Sequence, residues 1–215
     1  MTPITNDQII KALNWRYATQ AFDTSKQISP EDQDFLLEAI RLAPSSFGLQ
    51  PWKVINVTDP ALRAQIQEQA WGQPKITAAP LLFVLASKTE ISPEYIGEFI
   101  SETATAKGIP AESLGGLKNM VSGFVEGLGE EQVALWSAKQ TYIPVGMVLT
   151  AAAMRGIDAG PMEGFAKEGV DKILGLTEMG LKSAVIILFG YRSAEDKGAM
   201  MPKFRFAKEK IVVTK

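Results

Sequence analysis

"PLLFVLAS", residues 80–87, and "SAVIILFGY", residues 183–191, decide the fold. Each is an unbroken apolar run of strand length. A strand with one wet face alternates polar and apolar residues, whereas an unbroken run is covered on both faces. Working outward, "WKVINVT" at 52–58 reads as a strand and "IDAGPME" at 157–163 as a short strand and turn. Helical patterns separate them. Thr5 and Gln8 have capping-box spacing ahead of the apolar face Ile9, Ile10 and Leu13. Ser29-Pro30 opens a second helix with Phe35, Leu36, Ala39, Ile40 and Ala43 as its buried stripe, and Pro44 closes it. Asp59-Pro60 and Ser92-Pro93-Glu94 start two more. Residues 104–130, rich in Ala, Gly, Ser and Glu, read as an excursion, and 130–154 as one long helix, apolar nearly all round after Gln140. A further helical stretch covers 170–174. Strands separated by helices predict α/β or α+β with a sheet covered on both faces. A chain of 215 residues fits one domain, here 1–215 with a helical excursion at about 92–130.

Composition narrows the chemistry. With 46% hydrophobic residues a sizeable core is available, and a net charge of −2 gives nucleic acid no concentrated basic surface. The first residues carry no signal-peptide pattern, and "YIPVGMVLTAAAM" at 142–154 falls short of the roughly 20 apolar residues that span a bilayer. A cytoplasmic protein is the expectation, with no nucleic-acid and no membrane partner. There is no cysteine and no histidine. Thiol catalysis, Ser-His-Asp triads and His- or Cys-ligated metals are therefore excluded, and no metal site is expected. An enzyme built from this chain needs carboxylates or a borrowed cofactor.

The loop "PSSFGLQPW", residues 44–52, packs turn residues and hydroxyls around Phe47, as a fixed ligand-holding loop would. Arg16 lies at the end of the first helix, and Lys203 and Arg205, two apart in "PKFRF", project to one side of an extended chain. Two readings fit these cations: a phosphate site or a solvated basic face. "AGPMEGF", 159–165, is either an ordinary turn or one that turns the backbone N–H groups of Glu163 and Gly164 outward. "GLTEMGLKS", 175–183, lacks the spacing and the subsequent helix of a phosphate loop. The acidic pairs Glu31-Asp32, Glu130-Glu131 and Glu195-Asp196 suit helix starts or solvent, and Trp52, Trp71 and Trp136 suit core or interface.

Six segments in order, "RYATQAFD", "PSSFGLQPW", "QPK", "AKQTYIPVG", "GPMEGF" and "MPKFRF", resemble the FMN-dependent nitroreductases, in particular the oxygen-insensitive NAD(P)H nitroreductase and dihydropteridine reductase branch. The likeness covers nearly the whole chain. It implies an α+β three-layer sandwich, a central mostly antiparallel sheet flanked by helices, in an intertwined homodimer with FMN between the chains. It implies Arg16, Lys203 and Arg205 on the FMN phosphate and Lys75 at the N1–C2 edge of the ring. Gln73 is the candidate replacement for the family's asparagine near N3, which has no match at Gly72. Pro161 and Met162 lead to Glu163 and Gly164, whose N–H groups approach N5 and O4. Pro44, Ser45, Ser46 and Gln140 come from the other chain, and Phe47 and Phe124 face substrate beneath a variable cover.

The family's basic residue, hydroxyl and lysine after Arg16 are Tyr17, Ala18 and Gln20 here, with Thr19 as a candidate replacement for the hydroxyl; Gly72 stands where an asparagine is expected. The likeness further implies ping-pong hydride transfer through flavin N5, from NAD(P)H to a small acceptor such as a nitroaromatic, quinone or pterin. No catalytic side chain is implied, because the flavin carries the chemistry. The alternatives are a relative acting on another substrate class, or a flavin-binding or sensing dimer with weak turnover.

Overall fold

The computed structural model describes residues 3–215. Helix α1 (Asn6–Trp15) begins where the capping box predicts: the Gln8 N–H donates to Thr5 Oγ1 and the Thr5 N–H donates to Gln8 Oε1 at 2.9 Å. Ser29 caps α2 (Pro30–Arg41) by accepting the Asp32 N–H at 3.0 Å. Next come β1 (Trp52–Asn56), α3 (Pro60–Gln69), the single turn α4 (Lys75–Ala78), β2 (Leu81–Lys88), α5 (Pro93–Lys107), α6 (Gly115–Leu128) and α7 (Glu130–Arg155). The chain closes with β3 (Asp158–Met162), α8 (Lys167–Leu174), β4 (Leu181–Gly190) and the short α9 (Lys208–Ile211).

The sheet runs β1-β2-β4-β3 and every pairing is antiparallel. Its two central strands are the two unbroken apolar runs, and alternation explains why they are unbroken. Leu81, Phe83, Leu85, Val185, Ile187 and Phe189 point to one side, into a core with Leu36 and Ile40 of α2 and Val148 and Ala152 of α7. Leu82, Val84, Ile186 and Leu188 point to the other, against Ile66, Ile76 and Val170 of α3, α4 and α8. Helices on both faces make three layers. Each such side chain contributes about 1.5–3 kcal/mol by burial. The Phe83 and Phe189 rings meet edge to face at 5.5 Å, locking the two central strands in register.

The excursion is helical and has its own core. Leu49, Ile91, Ile96, Ile100, Val121 and Val133 are buried together, with Phe47 and Trp136 packed against them. The loop at 44–49 is thus seated on α5, α6 and the first half of α7. Pro144 lies inside α7, which continues past it. Having no N–H, it leaves the Gln140 carbonyl without its helical donor.

Several expectations change. Phe35 is 41% exposed and does not belong to the buried stripe of α2. Trp71 is 73% exposed, so it is not a core residue. The apolar face of α1 is uncovered at Ile10 and Leu13. Uncovered too are Tyr142, Ile143, Met147 and Met154 along α7, and Phe204, Phe206, Ile211 and Val213 near the C-terminus. Ile211, first of the β-branched run 211–214, ends the helical turn α9. The outer edge of β1 pairs with no strand among the described residues. No helix among them is long and apolar enough to cross a membrane.

Candidate functional site

The expected site residues gather into two groups. The first surrounds the C-terminus of α1 and the outer end of β3. Arg16 caps α1 in extended conformation, half-buried. Lys203 Nζ donates to the carbonyls of Leu13, at 2.7 Å, and Arg16, so the chain near its end is tied to the helix C-terminus where cations are favoured. Burial lowers the Arg16 pKa, and so does the nearby charge of Arg205. Lys203 is lowered by burial and then by Arg16, Arg205 and Arg192. Three cations crowd together, and among the described residues none of the three forms a salt bridge. Such a cluster favours an anion, which would relieve the mutual repulsion. Arg205 is exposed, while Arg16 and Lys203 are half-buried.

Beyond Arg16 the chain runs along the edge of β3. Ala18 bridges Ala159, and the Thr19 N–H donates to the Ala159 carbonyl at 3.2 Å. Gly160 permits this approach: a Cβ there would lie 2.7 Å from the Thr19 carbonyl oxygen. Thr19 is fully buried with its hydroxyl toward Asp158, so it does not replace the missing phosphate hydroxyl at Ala18. Arg192 clamps the turn from behind. It pairs with buried Asp158 at 2.5 Å and stacks its guanidinium on the rings of Trp15 and Tyr17, at 4.3 and 4.7 Å.

Lys75 is 7% exposed and has no carboxylate partner. Its ammonium donates to Gln20 Oε1 at 3.1 Å. Burial lowers its pKa and the Asp196 charge opposes that shift. Gln20, where the resemblance expected a second cation, therefore holds the remaining one in place. Gln73 Nε2 bridges the carbonyls of Ala70 and Gly164, both at 3.0 Å, fixing the α3–α4 turn to the end of β3. Pro161 and Met162 lie within β3, and Met162 is buried in the core, so neither side chain is presented at the surface as Glu163 is. The N–H groups of Glu163 and Gly164 are not taken up by any turn or loop carbonyl.

The second group is built on the excursion. Ser45 Oγ accepts the Gln50 N–H at 2.8 Å, and the Ser46 N–H donates to Gln140 Oε1 at 2.9 Å. Pro44, Ser45, Ser46 and Gln140, 94 residues from Ser46, thus form one rigid corner. Phe47 takes a left-handed φ of 58° and stacks at 5.2 Å on Phe124, which meets Trp136 at 5.5 Å. No hydrogen bond, salt bridge or ring contact among these residues joins the second group to the first.

Two features escaped the sequence reading. Asp196, read as a solvated loop acid, is 3% exposed and accepts from Tyr17 Oη at 2.5 Å. Trp71 holds a left-handed φ of 55° and lies so close to Gly164 that a Cβ there would sit 2.9 Å from its ring. The sequence signal for Trp71 was the adjoining Gly72, also left-handed.

Comparison with known proteins agrees with this fold. Among solved structures, the "putative nitroreductase ydfN" from Bacillus subtilis superposes with a TM-score of 0.88 at 20% identity, over 98% of this chain and 100% of that one. A "putative nitroreductase" from Exiguobacterium sibiricum, solved in complex with FMN, superposes with a TM-score of 0.82 at 20% identity, over 100% and 99%. These show the fold. The "Putative NAD(P)H nitroreductase YfkO" of Bacillus subtilis (strain 168) is 36% identical over 219 aligned positions, 95% of this chain and 96% of that one. Residues 13–191, a span that ends before Lys203 and Arg205, match the profile described as the nitroreductase family, and the chain belongs to that family of oxidoreductases.

Proposed function

We propose that two copies of this chain hold FMN between them and work in the cytoplasm as an NAD(P)H-dependent oxidoreductase. The observation that carries the reading is the Arg16–Lys203–Arg205 cluster, three cations without a counter-ion. A phosphate dianion supplies the missing charge, and Arg forks with a Lys ammonium suit it. Lys75 would stand at the pyrimidine edge of the ring, where an ammonium favours the electron-rich reduced cofactor. The free N–H groups of Glu163 and Gly164 would donate to its opposite polar edge. FMN, when bound, takes hydride from NAD(P)H at N5 and passes it, in ping-pong order, to a nitroaromatic, quinone or pterin. The chain's own part is to bind, orient and exclude water.

The homodimer is inferred from the halves. Pro44, Ser45, Ser46 and Gln140 complete the site only if the partner subunit brings them to the first group. The uncovered apolar faces of α1 and α7 and the apolar chain end are the contact surface such a dimer needs, since a lone soluble chain does not leave so much apolar area in water. The chain end would cross to the open edge of the partner's β1. In the assembled site Phe47 and Phe124 would face the acceptor. Titrating apoprotein with FMN and monitoring quenching of flavin fluorescence, with sedimentation to count chains, tests the reading. One FMN per chain in a dimer supports it, and a monomer that leaves FMN fluorescence unchanged overturns it.

A further inference from the structure

Two of the positions where this chain departs from the family pattern, Tyr17 and Gln20, meet at one buried carboxylate. Asp196 Oδ2 accepts Tyr17 Oη at 2.5 Å, the Gln20 N–H at 2.9 Å and the Ala21 N–H at 2.8 Å. Its other oxygen accepts the Gly198 N–H at 2.9 Å. Four donors saturate it, from segments more than 170 residues apart in sequence. The packing around it is tight: a Cβ on Gly198 would lie 3.3 Å from the Tyr17 ring.

Resting on the FMN reading, we infer that Asp196 is a positioning residue of the cofactor site. It fixes the turn after Arg16 to the segment that leads to Lys203, and it moderates the positive field of Lys75. The first half rests on connectivity. Arg16 directly precedes the tied segment, and Lys203 comes after the 3-10 turn Lys197–Met200 that Asp196 caps. The second half rests on Gln20, whose backbone is held by Asp196 while its side-chain oxygen holds Lys75. One carboxylate thus sets where the phosphate cations sit relative to the ring-side cation.

Charge and position make opposite predictions for Asp196→Asn. The substitution removes an anion from beside a phosphate site, so a background-charge role predicts tighter FMN binding. It also sets an amide N–H against backbone donors and slackens the turn, so the positioning role predicts weaker binding. The test measures FMN dissociation constants by fluorescence quenching, well below the melting temperature of each apoprotein, and the midpoint potential of the bound flavin. In folded Asp196→Asn, binding weakens about tenfold or more, the scale of one lost charged hydrogen bond. The potential rises, because Lys75 then faces one anion fewer. Unchanged or tighter binding, or an unmoved potential, overturns the inference. Should this variant not fold, Tyr17→Phe carries the test with the carboxylate charge intact: binding about fivefold weaker supports the inference, and wild-type binding overturns it. Wild-type protein that does not bind FMN at all defeats the functional reading instead, before any variant is made.

Discussion

Arg205→Ala isolates the phosphate site from the fold. The Arg205 guanidinium donates at 2.6 Å to the carbonyl of its own neighbour, Phe204, and forms no salt bridge with any described residue. Removing it breaks no long-range contact and relieves the pressure it places on Arg16. Apoprotein stability should therefore change by no more than about 0.5 kcal/mol, as at an ordinary surface position. The cofactor-bound state loses a charge-assisted hydrogen bond to phosphate, about 1.5–3 kcal/mol. That is roughly a 10- to 150-fold rise in the FMN dissociation constant. Thermal melting of the apoprotein and fluorescence titration with FMN read the two quantities separately. Repeating the titration at higher salt should narrow the gap between wild type and variant, because an exposed cation is screened. Undiminished FMN affinity, or an apoprotein that melts far earlier than wild type, would refute the phosphate role.

The geometry leads to three further outcomes. Asp158→Ala should destabilise the fold by about 3–5 kcal/mol in urea melts, because it leaves the largely buried Arg192 guanidinium without its carboxylate; a loss below about 1 kcal/mol would show the pair to be dispensable. Lys75→Ala should slow flavin reduction by NAD(P)H in stopped-flow more than it loosens FMN, and equal effects on both would argue against its electrostatic role. Burial pushes the Asp196 carboxyl up, but the hydrogen bonds from Tyr17 and from the backbone of Ala21, Gln20 and Gly198 outweigh it and hold its pKa below 3.8. A depressed carboxylate contributes stability that is full above that ordinary value and is lost as pH falls toward the depressed one. The acid limb of the apoprotein melting curve below pH 3.8 should thus be shallower in Asp196→Asn, and a superimposable limb would contradict the assignment.

The elements whose reasons are local were legible in the sequence. Caps at Thr5 and Ser29, and two apolar runs long enough to be strands but too evenly apolar for a wet face, place α1, α2, β2 and β4. Periodicity finds an apolar stripe but not its covered edge, which is why Phe35 read as buried and is not. The cations Arg16, Lys203 and Arg205 stood together before the resemblance was reached, but spacing alone favours a solvated face, and only the resemblance turns them toward phosphate. Asp196 was passed over because its partners lie more than 170 residues away and an acid beside Glu195 looks solvated. Contacts of that kind come from the topology of the sheet and not from any local pattern.

The claim that each FMN is shared between two chains is tested most directly by mixing two defective parents. One carries Arg16→Ala with Arg205→Ala and lacks the cation half; the other carries Ser46→Trp and blocks the loop half. Each alone should bind no FMN at micromolar concentration. Unfolded together and refolded, random pairing yields mixed dimers in which one of two sites is intact, so about a quarter of the wild-type FMN stoichiometry should return. If both halves served a site within a single chain, mixing would restore none.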